Sequence, residues 1–137
     1  LAAGHRPCAT CRRADYVAYR DAVDAGGRRS KAFEVDRRLA SERLRRGRGL
    51  ARAGDRPLWT AALDALPVGA VVVRDGRPHL VGTVTLQPFG FGGWGPSRPR
   101  DGGEAAVLTP PTSVAALAGG FRPTLHPSAA DGAELSV

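Results

Sequence analysis

Apolar positions recur at helical spacing through the first third of the chain and in short continuous or alternating runs through the second half. That change of period predicts helices followed by a sheet. Over residues 14–25, Tyr16, Val17, Tyr19 and Val23 fall on one stripe that Gly26 and Gly27 end, which predicts a first helix. A second helix is expected over residues 31–46, with Ser30 as its cap. The residue three after that cap is Phe33 and Glu34 comes one later, so the capping box is imperfect. Two adjacent apolar rows, Ala32, Val35, Leu39 and Phe33, Ala40, Leu44, define its packing face, while Arg37, Arg38, Glu42, Arg45 and Arg46 point elsewhere. Residues 47–57 lack a period and read as a basic connector.

Residues 58–66 are expected to be short helical or irregular chain anchored by Trp59, Leu63 and Leu66, with Pro67 as the stop. Residues 70–73 carry the strongest strand signal. Asp75-Gly76 is a hairpin turn, and residues 79–86 return as the partner strand. A further strand is expected over residues 104–109, then a short helix over 113–118 that Gly119-Gly120 ends. The expected fold class is α+β, with N-terminal helices carrying a Cys-x2-Cys knuckle ahead of a small antiparallel sheet or partial barrel. The organisation this implies is a single domain over residues 1–128, divided into a helical basic part (1–46), the connector (47–57) and a β-rich part (58–128), with residues 129–137 as a frayed tail.

Charge sharpens this division. Residues 1–56 carry fifteen Lys and Arg against seven Asp and Glu, whereas residues 57–137 carry five against six. A basic half of that kind favours nucleic acid or another polyanion as partner, and the bland alternative is a solvated basic face. The candidate nucleic-acid-binding residues are Arg12, Arg13, Arg37, Arg38, Arg45, Arg46 and Arg48. No run of apolar residues is long enough to span a membrane, so a membrane role is not expected and a cytoplasmic location is the default.

Both cysteines lie in His5-Arg6-Pro7-Cys8-Ala9-Thr10-Cys11. Two thiolates separated by two small residues suit a zinc ion, with Cys8, Cys11 and His5 as candidate ligands and Asp15, His79 or His126 as candidates for the fourth place. Arg6, Arg12 and Arg13 are expected to lower the thiol pKa values. A redox pair or two unrelated free thiols are the alternatives. A disulfide framework is not expected, because a pair three residues apart closes too short a loop to staple a domain. The chain starts with Leu and contains no Met, so it reads as a fragment whose N-terminal part is missing.

The run Gly4-His5-Arg6-Pro7-Cys8-Ala9-Thr10-Cys11-Arg12 resembles the second ligand pair of the zinc domain in bacterial Ada-type DNA alkylation-response proteins. The resemblance covers nine residues and implies zinc ligation by Cys8 and Cys11, with the other cysteine pair, including the methyl acceptor, outside this chain. A broader resemblance, to uncharacterised bacterial proteins, covers most of the chain and rests on Arg6-Pro7-Cys8 to Ala14-Asp15, Ser41-Glu42-Arg43-Leu44, Leu66-Pro67, Val107-Leu108-Thr109-Pro110-Pro111, Phe121-Arg122-Pro123 and His126-Pro127-Ser128. It implies a natural domain and no particular chemistry.

Gly90, Gly92 and Gly95 satisfy G-x-G-x-x-G, but Pro96 and Pro99 follow where a nucleotide site needs a helix, so no dinucleotide is expected. Phe89, Phe91 and Trp94 are candidates for stacking on a ligand or for covering a sheet edge. The carboxylates are scattered among arginines, and no base is placed beside either cysteine, so the reading leans away from enzymatic activity in this segment alone. The expected function is a zinc-associated module that binds nucleic acid through its arginine-rich half. The alternative is the C-terminal fragment of a larger metal-dependent enzyme whose catalytic residues lie upstream.

Overall fold

The computed structural model describes residues 1–25, 27–44 and 56–130. Their secondary structure is α+β, with three helices and an antiparallel sheet. The chain divides into two compact units, one of Leu1–Leu58 with Thr109–Phe121, the other of Trp59–Leu108 with Arg122–Val137.

The first unit is helical. Helix α1, Arg13–Val23, buries Tyr16, Tyr19 and Ala22, so the stripe read from the sequence is its packing face. Helix α2, Ala32–Arg43, begins one residue later than Ser30 would place it, with Lys31 at the N-cap. The Glu34 carboxylate accepts the Lys31 N–H at 2.7 Å, because Ser30 is engaged elsewhere. Val35 and Leu39 of the first apolar row are buried, whereas in the second row Phe33 is exposed and Ala40 and Leu44 are half-buried. Burying a Val or Leu side chain contributes about 1.5–3 kcal/mol.

Helix α3, Pro111–Ala118, belongs to this unit although its sequence follows the β-rich part. Proline suits the first helical turn, where its missing N–H has no partner to lose. The Glu42 carboxylate of α2 accepts both the Thr112 N–H and its hydroxyl at 2.6 Å, so a side chain seventy positions earlier caps α3. Tyr19 and Ser113 share a buried 2.7 Å hydrogen bond, and the Tyr19 ring meets Phe121 edge to face at 5.5 Å. At Gly119 any Cβ would lie 2.2 Å from the Ala22 carbonyl oxygen, so only glycine permits this close passage of α3 past α1.

The second unit is a seven-stranded antiparallel sheet of β1 (Trp59–Ala62), β2 (Val71–Arg74), β3 (Arg77–Val81), β4 (Thr85–Gly90), β5 (Gly93–Trp94), β6 (Arg98–Pro99) and β7 (Glu104–Val107). The order is β1-β7-β2-β3-β4-β5, with β6 also paired to β4. Asp75 and Gly76 have φ of 53° and 71°, the left-handed pair that a two-residue hairpin needs to match strand twist. Residues 58–66, expected to be helical or irregular, instead supply β1 and a 3-10 turn over Leu63–Ala65. Strand β1 exists because β7 offers it a complete ladder, Trp59 opposite Val107 through Ala62 opposite Glu104. The expected strand over 79–86 is also corrected: the Gly82 N–H donates to the Thr85 carbonyl at 2.8 Å, and the chain turns there into β4.

Val72, Val81, Leu63, Leu86 and Val107 form the fully buried centre of this unit. The Arg100 guanidinium reaches three backbone carbonyls, of Leu63, Leu66 and Gly82, and fastens the 3-10 turn to the β3–β4 turn. Beyond Ser128 the chain stays attached through Ala130, whose N–H donates to the Gln87 side chain at 2.6 Å, and Ala129 is buried. No helix among the described residues is long and apolar enough to cross a membrane.

Candidate functional site

The cysteine turn is held in place by the residue types around it. Gly4 has φ +87°, and its carbonyl accepts an Arg43 N–H at 3.1 Å. Arg6 donates to both carboxylate oxygens of Asp36 on α2, at 2.7 and 3.0 Å, and lies 4.9 Å over the Tyr16 ring of α1. Pro7 and Cys8 follow directly. The Cys8 carbonyl accepts the Arg12 N–H at 3.0 Å, which makes residues 8–12 a helical turn leading into α1.

Within that turn the Cys11 N–H points at the Cys8 sulfur at 3.4 Å, and both cysteines are free and exposed. The Cys8 thiol is lowered to about 7, first by a hydrogen bond from the Cys11 thiol and then by the N–H groups of Cys11 and Thr10. The Cys11 thiol is raised, because it donates to Cys8. Arg12 does lower the Cys11 thiol, as expected of an arginine, but its effect is smaller than that of the hydrogen bond to Cys8, so Cys11 rises overall and hydrogen bonds at the start of the helix set the asymmetry of the two thiols.

Zinc needs four donors, and this turn offers two. Among the described residues no group of three or more His, Cys, Asp or Glu forms that could hold a metal ion. His5 is exposed. Asp15 is occupied by Arg12 at 2.8 Å, the ring of buried His79 contacts its neighbouring Arg77 carbonyl at 2.9 Å, and His126 contacts Ser128 at 2.7 Å. The described residues thus supply half a tetrahedral shell and do not build a zinc site by themselves.

A different constellation gathers along α2. Arg28, Ser30, Glu34, Arg37, Arg38 and Ser41 line a cleft of about 520 Å³. Helical spacing explains the wall, since 34, 37, 38 and 41 follow one another by three or four residues. Asp24 explains the far side: it accepts the Ser30 N–H at 2.7 Å and its hydroxyl at 3.2 Å, and Arg38 donates to the Ser30 oxygen at 2.6 Å. Burial pushes the Asp24 pKa up, but Ser30 and Arg38 outweigh it and hold the carboxylate below its ordinary range. Arg28 pairs with Glu34 at 2.8 Å, and Glu34 too is held low, chiefly by the Lys31 N–H. Arg37 is exposed and has no hydrogen bond or ion pair among the described residues.

Of the arginines read as nucleic-acid contacts, Arg37 and Arg38 share this cleft, Arg12 is paired with Asp15, and Arg13 is exposed at the start of α1. Arg45, Arg46 and Arg48, with most of the connector, lie outside the described residues. Arg28, Ser30 and Ser41 were not singled out by sequence; the Arg37–Ser41 spacing was the signal available for one of them.

In the β unit, Phe89 stands opposite Trp94 across the β4–β5 hairpin. Its ring lies edge to face with Trp94 at 5.9 Å and with Phe91 at 5.8 Å, and Phe91 is fully exposed. Phe89 touches both other rings but leaves Phe91 open to solvent, and Ser128 anchors the strand by accepting the Trp94 N–H at 2.7 Å. The element that follows these glycines is strand β6, Arg98–Pro99. No family model, curated protein or solved structure matches this chain.

Proposed function

We propose that the helical unit is a polyanion-binding module that grips nucleic-acid phosphates in the cleft along α2. The observation that carries this reading is the cleft lining, in which Arg28, Arg37 and Arg38 outnumber Glu34, with Asp24 behind the wall on Ser30 and Arg38. A guanidinium donates two parallel N–H bonds to phosphate oxygens, while the Ser30 and Ser41 hydroxyls donate to Asp24 and to the Arg38 carbonyl and shape the wall. Arg37 is available without breaking a partner among the described residues, and Arg28 would exchange an exposed ion pair for a phosphate. The basic excess of residues 1–56 draws polyanions toward this face. Such contacts position a backbone and do not read bases, so little sequence preference is expected.

The test is fluorescence anisotropy of the full chain with labelled single- and double-stranded DNA and RNA at low salt. Arg28→Ala combined with Arg37→Ala is expected to weaken binding about tenfold or more, while Arg122→Ala in the β unit leaves it unchanged. Equal effects of both changes, or no binding by the parent chain, would overturn the reading.

A further inference from the structure

The cysteine turn has a geometry that the phosphate cleft does not use. Its two sulfurs are exposed, one turn apart, and unshared with any third metal donor among the described residues. We propose that Cys8 and Cys11 form a dithiol that exchanges with disulfides, with Cys8 as the attacking sulfur and Cys11 as the resolving one. This inference stands independently of the cleft.

Three observations carry it. First, the Cys11 N–H points at the Cys8 sulfur, so developing negative charge there meets a fixed donor at the start of a helix. Cys8 is the sulfur that this N–H faces, so it attacks, and Cys11, at the end of the same turn, is placed to resolve. Second, the turn that carries both sulfurs is closed by the Arg12 N–H on the Cys8 carbonyl, and the segment ahead of it is fastened by Arg6 on Asp36 and by Arg43 on Gly4. Small Ala9 and the exposed Thr10 between the cysteines leave an incoming disulfide free to approach. Third, Arg13 is exposed and has no partner among the described residues, so the approach favours an anionic disulfide.

The exchange balances without a metal or further cofactor. Cys8, having released its proton to solvent, attacks one sulfur of R–S–S–R. The R–S bond to the second sulfur is retained while the S–S bond breaks, a Cys8–S–R bond forms, and the departing thiolate takes up a proton. Cys11 then releases its proton and attacks the Cys8 sulfur, closing the Cys8–Cys11 disulfide and expelling the second thiolate, which is protonated in turn. The protein dithiol loses two electrons and the partner disulfide gains them.

Oxidised glutathione is the probe, applied to the full chain after elemental analysis of its metal content, with adducts followed by intact mass and differential alkylation. The parent chain is expected to reach the intramolecular disulfide without accumulating an adduct. Cys11→Ser should trap a mixed disulfide on Cys8, and Cys8→Ser should react at Cys11 about tenfold more slowly. Both sulfurs are exposed, so neither change disturbs the core, and the circular dichroism spectrum is the check on folding. A persistent adduct on the parent chain, equal rates in the two single variants, or a chain that carries one zinc per molecule and exchanges only after chelation would each overturn the inference.

Discussion

The two units of this chain are built by different means, and the contrast locates the chemistry. The β unit rests on a ladder of strands around Val72, Val81, Leu86 and Val107, with one arginine, Arg100, tying its turns by backbone carbonyls. The helical unit packs Tyr19, Val35 and Leu39 at its centre and joins its helices and N-terminal segment by polar bonds between residues far apart in sequence: Arg6 with Asp36, Glu42 with Thr112, and Tyr19 with Ser113. Such pairs fix loops and helix ends that the apolar core alone would leave free. The unit that depends on them is also the one that holds the thiol turn and the arginine cleft. Precise polar placement that stabilises a fold is the same resource a binding site uses.

The contrast can be broken from either side. The largest effect is expected in the β unit from Arg100→Ala, which leaves the Leu63, Leu66 and Gly82 carbonyls without their charged donor and should cost about 4 kcal/mol. Both tryptophans, Trp59 and Trp94, lie in this unit, so urea unfolding followed by tryptophan fluorescence measures it. In the helical unit, Gly119→Ala should cost about 3 kcal/mol, because the added carbon meets the Ala22 carbonyl and α3 must move away from α1. All three helices belong to that unit, and the helical circular dichroism signal reports it.

A smaller effect distinguishes polar placement from apolar packing. Asp24 is held below its ordinary pKa by Ser30 and Arg38, so its ionised form is favoured in the folded state. The stability this supplies is fully present above the unfolded value and is lost as pH falls through the lower folded value. Asp24→Asn should therefore cost about 1 kcal/mol near pH 6 and progressively less below about pH 4. Urea unfolding of both chains at the two pH values checks it, and a pH-independent difference would assign Asp24 a packing role only.

Local chemistry was legible in the sequence, and remote partnership was not. The Asp75-Gly76 turn could be read because its two positive φ angles restrict the residues that fit. The stripe of α1 was likewise visible in Tyr16 and Tyr19. Ser30 misplaced the start of α2 because its N–H and hydroxyl go to Asp24, six residues back and outside any local capping pattern. Strand β1 was hidden because Trp59-Thr60-Ala61-Ala62 has little strand character until β7 is set beside it. The cysteine pair is plain in the sequence, whereas the opposite shifts of its two thiols are not, since they come from hydrogen bonds that only the folded turn makes. Two of the six cleft residues, Arg37 and Arg38, follow from the helix pattern; Arg28 and Ser30 join it only through the fold of the preceding loop.

The central claim is that the arginine cleft of the helical unit binds phosphates, and its most direct test is the salt dependence of nucleic-acid affinity. With three guanidiniums engaged, the slope of log affinity against log salt is expected to be about −2 to −3, and Arg37→Ala should flatten it by about one. A flat dependence, or a slope unchanged by the loss of Arg37, would contradict the account.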